Sequence, residues 1–190
     1  PMGAPAPGPM TPTLIVLAAG SSSRFRAMGG STHKLEAPLG GMTVLERVLQ
    51  AVRETGLPWH LVRAADTAHH AVQGMGTSIA TGVSATPDAD GWLILPGDLP
   101  LIQPDTLLQV ARLLGEHAVV VPWFENQAGH PVGFGRDCKS DLMALRGDHG
   151  AKSVVQAHGP AFQWSTHDPG CTLDVDTPER LQQAQNRLNL

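Results

Sequence analysis

The stretch that decides the fold is LIVLAAGSSSRF, residues 14–25. It begins as an apolar run, passes into small residues and ends on Arg24 and Phe25, and a second cation follows at Lys34. Small residues after a strand leave backbone amides open to an anion, and the two cations add fixed charge at the rim. The pattern predicts a nucleoside triphosphate site. The alternative is a plain strand-turn-helix connection in which Arg24 and Lys34 are merely solvated.

Length and composition are typical of one α/β enzyme domain. The chain has 190 residues, 42% of them hydrophobic, which suits a single domain with a substantial core. The net charge of −4 is spread out without a basic stripe, so neither nucleic acid nor a membrane surface is an expected partner. Cys138 and Cys171 lie far apart, which argues against a disulfide framework or a zinc knuckle and favours a reducing cytoplasm.

Strand and helix patterns alternate after Thr13, which predicts a mostly parallel sheet covered by helices on both faces. The expected strands lie at about 14–18, 60–64, 92–95, 118–121 and 132–134, and the expected helices at 43–55, 78–85, 104–114 and 178–188. Residues 1–12 are rich in proline and are predicted to be a disordered lead or a cloning remnant. The expected domain is therefore 13–190.

Five further motifs follow the first stretch in order. They are Gly74–Ser78, Leu95–Pro100, Gly129–Val132, Gly147–Lys152 and Asp174–Pro178. Together with LAAGSSSR they resemble the MobA-like nucleotidyltransferases, and most closely the molybdenum cofactor cytidylyltransferase branch, from Thr13 to the last helix. The resemblance implies a Rossmann-like three-layer α/β/α domain of the nucleotide-diphospho-sugar transferase type. It also implies a Mg²⁺-dependent transfer of CMP from CTP to the terminal phosphate of molybdopterin, with release of pyrophosphate.

The resemblance assigns the nucleotide to the first half of the chain. Amides of Ala19–Ser23 would cradle the triphosphate, Arg24 would pair with the β- and γ-phosphates, and Lys34 would neutralise the α-phosphate. The Gly74–Ser78 loop and the LAAG loop would read the nucleobase, since glycines permit close approach of the backbone. Alanine at position 19, where guanylyl members tend to carry glycine, favours CTP. The implied catalytic residues are Arg24, Lys34 and Asp98, and the implied nucleotide-binding residues are Leu17, Ala18, Ala19, Gly20, Ser21, Ser22, Ser23, Arg24, Lys34, Gly76, Thr77 and Ser78.

Two carboxylates are candidate magnesium ligands. Asp98 follows a buried strand and a Pro-Gly turn, so its carboxylate is presented at the sheet edge; capping of the helix at Pro104 is the alternative. Asp176 is the second candidate, and the alternative is that Asp176 or Thr177 caps the last helix. Asp174 is predicted to be structural, on the expectation that it and Asp176 face opposite ways along an extended segment.

The resemblance places a phosphorylated, pterin-type acceptor in the second half, at Pro100, His130, Pro131, His149 and Gly150. Loop histidines are commonly just solvated, so for His130 and His149 both readings stay open. The implied partners are CTP, this acceptor, and a molybdenum enzyme that receives the finished cofactor.

Two departures from the family pattern stand out. Arg24 and Lys34 are ten positions apart, a longer loop than is usual, which leaves Arg26 as a rival to Arg24. The segment before Gly74 is short, so one strand-helix unit is trimmed at the sheet edge.

Three other functions remain as alternatives. The first is a related nucleotidyltransferase that uses GTP or a small phosphorylated acceptor. The second is a non-catalytic accessory protein that hands cofactor to a molybdenum enzyme; Lys34, Asp98 and Asp176 speak against it, because mere binding does not require a metal pair. The third is a dinucleotide-dependent oxidoreductase, which the missing G-x-G-x-x-G spacing disfavours.

Overall fold

The computed structural model describes residues 10–30 and 33–189, except for the side chain of Arg24. Most of the predicted lead, residues 1–9, lies outside the described residues. Its last three residues contact the domain: the Thr11 amide donates to Asp90 Oδ2 at 3.0 Å, Pro12 is buried, and Met10 packs against the core. Within the described ranges, no helix has the length and apolar character needed to cross a membrane.

Strands and helices alternate as expected. The strands are β1 Thr13–Ala18, β2 Pro38–Leu39, β3 Met42–Thr43, β4 Trp59–Arg63, β5 Gly91–Pro96, β6 Val119–Phe124, β7 Gln127–Ala128, β8 Val132–Gly135 and β9 Phe162–Ser165. The helices are α1 Ser23–Ala27, α2 Val44–Glu54, α3 Ala64–Thr67, α4 Met75–Ala85, α5 Pro104–Leu113, α6 Lys139–Met143, α7 Lys152–Ala157 and α8 Pro178–Leu188. Three-residue 3-10 turns lie at Lys34–Glu36, Arg136–Cys138 and Pro169–Cys171.

A mixed, mostly parallel sheet forms the middle layer. Its order is β4-β1-β5-β8-β6-β7, with β9 paired to β6, and β8 and β7 run against the other five strands. Successive residues of β1 face opposite layers: Leu14 and Val16 pack with α2 and α5, whereas Ile15 packs with α4 and α6. Helices therefore cover both faces, which confirms the expected three-layer α/β/α fold.

Local sequence signals explain where the main helices begin. Thr43 and Glu46 form a reciprocal capping box at the start of α2, since each side chain accepts from the other residue's amide. At α8 the Thr177 hydroxyl accepts from the Arg180 amide at 3.2 Å, and Pro178 occupies the first turn.

The topology opens a cleft at the carboxyl ends of β1 and β5. From β1 the chain reaches its neighbour β4 on one side, then β5 on the other, so the loops after β1 and β5 diverge. Between them the Gly97 amide donates to the Leu17 carbonyl at 2.8 Å. A Cβ at Gly97 would lie 2.8 Å from that oxygen, so only glycine permits this approach and sets Asp98 at the mouth of the cleft.

Candidate active site

The cleft has a volume of about 470 Å³, the size of a nucleotide-type ligand pocket. Many of the residues predicted to bind nucleotide line it, namely Leu17, Ala19, Gly20, Ser21, Lys34 and Ser78, and so does the predicted metal ligand Asp98. Gly74 and Met75 of the Gly74–Ser78 loop also line it. Several other lining residues had no predicted role, namely His33, Leu35, Gln73, Pro96, Gly97 and Asp148. The described part of the chain thus brings the first stretch, the glycine loop and the end of β5 to one place.

The loop after β1 is fastened to the segment that carries Lys34. Ser22 is buried with a φ of 59°, and its hydroxyl accepts from the Lys34 amide at 3.1 Å. One ring nitrogen of His33 is hydrogen-bonded to the Gly20 carbonyl at 2.8 Å. The Ser22 hydroxyl therefore positions the backbone of Lys34. Since that hydroxyl is used in this way, an anion would be bound by the backbone amides of the loop after β1.

The two rival arginines both lie on α1. Arg26 is exposed, and its guanidinium donates to the Ser21 carbonyl, so it braces the loop from outside. The side chain of Arg24 is outside the described residues, and its expected contact with phosphate stays a prediction.

Lys34 lies between two of the candidate ligands. Its Nζ is 2.9 Å from Asp98 Oδ2 and 3.3 Å from Asp176 Oδ1, and the exposed fractions of the three side chains are only 17%, 15% and 22%. Burial acts to lower the pKa of Lys34, but attraction to Asp98 and Asp176 and the hydrogen bonds to them outweigh burial and raise it. The ammonium is therefore firmly charged at neutral pH.

Three carboxylates cluster at this point. Ligand oxygens of Asp98, Asp174 and Asp176 all lie within 4.8 Å of one another. The backbone holds them there, because the Val175 amide donates to the Asp98 carbonyl at 2.8 Å. Carboxylate oxygens in such a group suit a hard divalent cation, so the donor set fits Mg²⁺ or Mn²⁺.

The expectation that Asp174 and Asp176 face opposite ways is wrong. In an extended segment neighbouring residues face opposite ways, whereas residues two apart, such as these, share a side. The segment is not a strand either, since the Asp174 amide donates to the Thr172 carbonyl at 3.2 Å. Asp174 also has a structural partner, since Arg180 Nη2 donates to its Oδ1 at 2.6 Å. It therefore both anchors α8 and adds charge to the cluster.

Other residues fill the capping roles that were the alternatives for Asp98 and Asp176. At α5 the N-cap is Gln103, and Asp168 Oδ2 accepts from the Gln103 amide at 3.1 Å and from the Thr106 hydroxyl at 2.6 Å. At α8 the cap is Thr177. Neither candidate carboxylate caps the helix that follows it.

The glycine loop before α4 is built against a second loop. The Gly76 amide donates to the Gly147 carbonyl at 2.8 Å, the Gly147 amide donates to the Thr77 hydroxyl at 3.0 Å, and that hydroxyl donates to the Val72 carbonyl at 2.8 Å. Gly76 and Thr77 are buried in this junction, and of the three predicted positions Ser78 is the one that lines the cleft. The Thr77 hydroxyl is thus committed to structure.

The residues expected to bind the acceptor do not form one surface. Pro100 and Pro131 are buried, His149 is exposed, and Gly150 is half-buried. The His130 backbone amide donates to the Cys171 carbonyl at 2.9 Å. The ring Nδ1 of His130 is buried and has no hydrogen-bond partner among the described residues. Burial lowers the pKa of His130 despite the nearby charges of Asp98 and Asp174, so the ring is neutral at pH 7.

Comparison with known proteins agrees with this geometry. The family model for the MobA-like NTP transferase domain matches residues 14–162, and the chain belongs to this family. It is 31% identical over 152 residues to the bifunctional protein GlmU of Xanthomonas oryzae pv. oryzae, covering 70% of this chain but 32% of GlmU, so it spans about a third of that relative. It is 28% identical over 203 residues to the purine catabolism protein PucB of Bacillus subtilis, covering 92% of this chain and 96% of PucB.

Solved structures show the same architecture. The crystal structure of Rv0371c from Mycobacterium tuberculosis H37Rv is similar with a TM-score of 0.77 at 26% identity, over 93% of this chain and 99% of that one. The same protein in complex with manganese gives a TM-score of 0.74 over the same shares of the two chains. Molybdopterin-guanine dinucleotide biosynthesis protein A from Archaeoglobus fulgidus gives 0.64 at 14% identity, over 93% and 98%, which is a similarity of fold.

Proposed function

We propose that this chain is a CTP:molybdopterin cytidylyltransferase that requires Mg²⁺. The observation that carries the proposal is the junction of Lys34, Asp98 and Asp176 at the mouth of the cleft between β1 and β5. A phosphate oxygen of the acceptor attacks the α-phosphorus of CTP, a new P–O bond forms, and the bond to the β-phosphate breaks. The electron pair leaves with pyrophosphate, so no oxidant or external base is needed.

The metal would be held by Asp98 and Asp176, with Asp174 adding charge beside them. When bound, Mg²⁺ supplies Lewis-acid stabilisation of the charge on the phosphate oxygens. The oxygen-only donor set supports this assignment. So does the manganese complex of Rv0371c, a protein of the same fold at 26% identity.

The triphosphate would be bound by backbone amides of residues 19–23, with Arg24 on the β- and γ-phosphates. Lys34 would then leave its carboxylate partners far enough to reach the α-phosphate, where negative charge grows in the transition state. Ala19 lines the cleft and, by the resemblance to cytidylyl members, supports CTP over GTP.

The acceptor would approach from the side of Pro100, His130 and Pro131. Of the other two residues expected to bind it, Gly150 lies beside Met75, where a Cβ would be 3.2 Å from the Met75 sulfur, and the His149 carbonyl lies against Gly76, so the structure does not support an acceptor contact for them. A neutral His130 with a buried Nδ1 offers a polar atom that an acceptor, or a water molecule at its edge, would satisfy. We assign the domain to residues 13–190. We also assign the protein to the cytoplasm, because its two free cysteines suit a reducing compartment.

The test is pyrophosphate release from CTP with molybdopterin and Mg²⁺, beside GTP at equal concentration. We expect turnover with CTP, its loss in Asp98→Asn, and full turnover in Asp105→Asn, which neutralises an exposed carboxylate outside the cleft. Turnover with GTP alone, or undiminished turnover in Asp98→Asn, would refute the proposal.

A further inference from the structure

Two chemically different groups of residues line the cleft. One group is the cation of Lys34 with Asp98 and the carboxylates beside it, where phosphates and metal would meet. The other is Gly74, Met75 and Asp148, which offer a backbone surface, a thioether and a carboxylate. A carboxylate without a metal repels phosphate, so the second group suits the uncharged ring of the nucleotide.

Asp148 is held in place by the loop that carries it. The two hydrogen bonds that join Gly147 to Gly76 and Thr77 fix this loop against the start of α4. Gly74 has a φ of 141°, and a Cβ there would lie 2.5 Å from Asp148 Oδ1, so the carboxylate lies directly against the Gly74 backbone. Although Asp148 is exposed, the contact with Gly74 and the fixed loop hold its carboxylate at the cleft.

The Asp148 carboxylate has accepting capacity that the described protein does not use. No described residue forms a hydrogen bond or an ion pair with it, although it lines the cleft. An ionised carboxylate accepts hydrogen bonds and donates none. A ring placed beside it must therefore offer an N–H group at that edge.

We propose that Asp148 selects the nucleobase by accepting a hydrogen bond from the exocyclic amine of cytosine, an assignment that rests on the proposed use of CTP. Carboxylates recognise the cytosine amine in this way in nucleic-acid complexes. Uracil carries a carbonyl oxygen at the same position, which the carboxylate repels. The half-exposed Met75 side chain supplies an apolar surface for the ring plane.

The test measures binding of CTP, UTP and GTP with Mg²⁺ to the full chain by calorimetry, which needs no acceptor. We expect the wild type to bind CTP about tenfold or more tightly than UTP. In Asp148→Asn the amide can donate to the uracil carbonyl, so the preference should shrink about tenfold. Asp148→Ala should weaken CTP, because the acceptor is lost, and should improve UTP modestly, because the repulsion of the uracil carbonyl is lost as well. Asp88→Asn, an exposed carboxylate at the other end of β5, is the matched control and should keep the wild-type ratio.

The outcomes separate the two proposals. If the wild type binds CTP well and Asp148→Asn and Asp148→Ala keep the same ratio of CTP to UTP affinity, the role of Asp148 is refuted and the proposed function stands. An equal loss of both nucleotides in the two variants also refutes it, because that is the effect of a purely structural residue. A wild type that binds no CTP, or prefers GTP, refutes the proposed function and the cytosine assignment together.

Discussion

Lys34 Nζ lies 2.9 Å from Asp98 Oδ2, on a carboxylate that a bound metal would need. The lysine and the metal therefore compete for the same oxygens. Metal binding should release the ammonium toward the phosphates, and loss of the metal should return it to the carboxylates.

Removal of the lysine should change how the protein responds to metal. In Lys34→Ala, Asp98 and Asp176 lose the cation between them, so we expect a loss of about 2 kcal/mol in unfolding free energy without metal. Added Mn²⁺ should raise the melting temperature more in the variant than in the wild type. Thermal unfolding at increasing Mn²⁺ measures this, with Lys139→Ala as the control; equal shifts in all three proteins would contradict it.

Asp98→Asn and Asp176→Asn should abolish turnover while the fold persists, because neither side chain caps a helix. Thr177→Ala should do the reverse: it removes the cap of α8 and costs about 1 kcal/mol of stability with little effect on turnover. Circular dichroism beside pyrophosphate release separates the two effects. A strongly destabilised Asp176→Asn with normal turnover would return Asp176 to a structural role.

The two arginines of α1 should differ. We expect Arg24→Ala to lose about 10² to 10³ in kcat/KM, and Lys34→Ala to be equally damaging, since each removes a cation from the phosphates. Arg26→Ala should retain most activity, because its guanidinium is exposed and contacts only the Ser21 carbonyl among the described atoms. An inactive Arg26→Ala beside an active Arg24→Ala would mean that the motif is shifted by two residues.

CTP should stabilise the fold more than GTP. At 100 times its dissociation constant a ligand adds about 2.7 kcal/mol to the unfolding free energy. Thermal shifts with each nucleotide and Mg²⁺ at matched concentration measure the difference. Equal shifts in melting temperature with CTP and GTP would contradict the prediction that Ala19 favours CTP.

Both thiols should be inert in the native protein. Burial, with smaller contributions from neighbouring carboxylates, raises the pKa of Cys138 to about 11 and that of Cys171 to about 12. At pH 8 a thiol with a pKa near 11 is a thiolate about one part in a thousand, so disulfide reagents should label it only after unfolding. Rapid labelling of the folded chain at pH 8 would contradict this.

The same shifts set a pH dependence. Above pH 9 the unfolded chain releases thiol protons that the folded chain retains, so unfolding free energy should be intact below pH 9 and fall as the pH rises toward 11 to 12. Urea titrations from pH 7 to pH 10.5 measure the fall, and a variant with both cysteines replaced by alanine should show less of it.

Elements with strong local signals could be predicted from the sequence. The helix expected at 43–55 is Val44–Glu54, because a capping box and a regular apolar face define it locally. The strand expected at 92–95 is Gly91–Pro96, a continuous buried run. By contrast, β9 could be given no bounds from the sequence: its four residues around Trp164 have a strand-like pattern but are short and half-exposed, and pairing with β6 defines the strand.

The residues of the site likewise fall into some that the sequence could predict and others that it could not. The motifs brought Lys34 and Asp98 to one cleft, because both are tied to the ends of strands whose order the fold class dictates. Asp174 was misjudged and Asp148 was missed, although each lies inside a recognised motif. The spacing of Asp174 and Asp176 already places them on one side of an extended segment. The position of Asp148 depends on contacts between distant loops, such as Gly147 with Thr77, which no local pattern encodes.

The family match ends at residue 162, yet Asp174 and Asp176 come after it. The segment between β9 and α8 returns to the cleft, where Val175 is buried beside Leu35, the neighbour of Lys34. A protein shortened to the matched region would keep most of the sheet and lose two of three carboxylates together with the packing beneath the lysine. In chimeras with other family members, the segment after β9 and the amino-terminal half should therefore come from the same protein, because they pack against each other at Lys34.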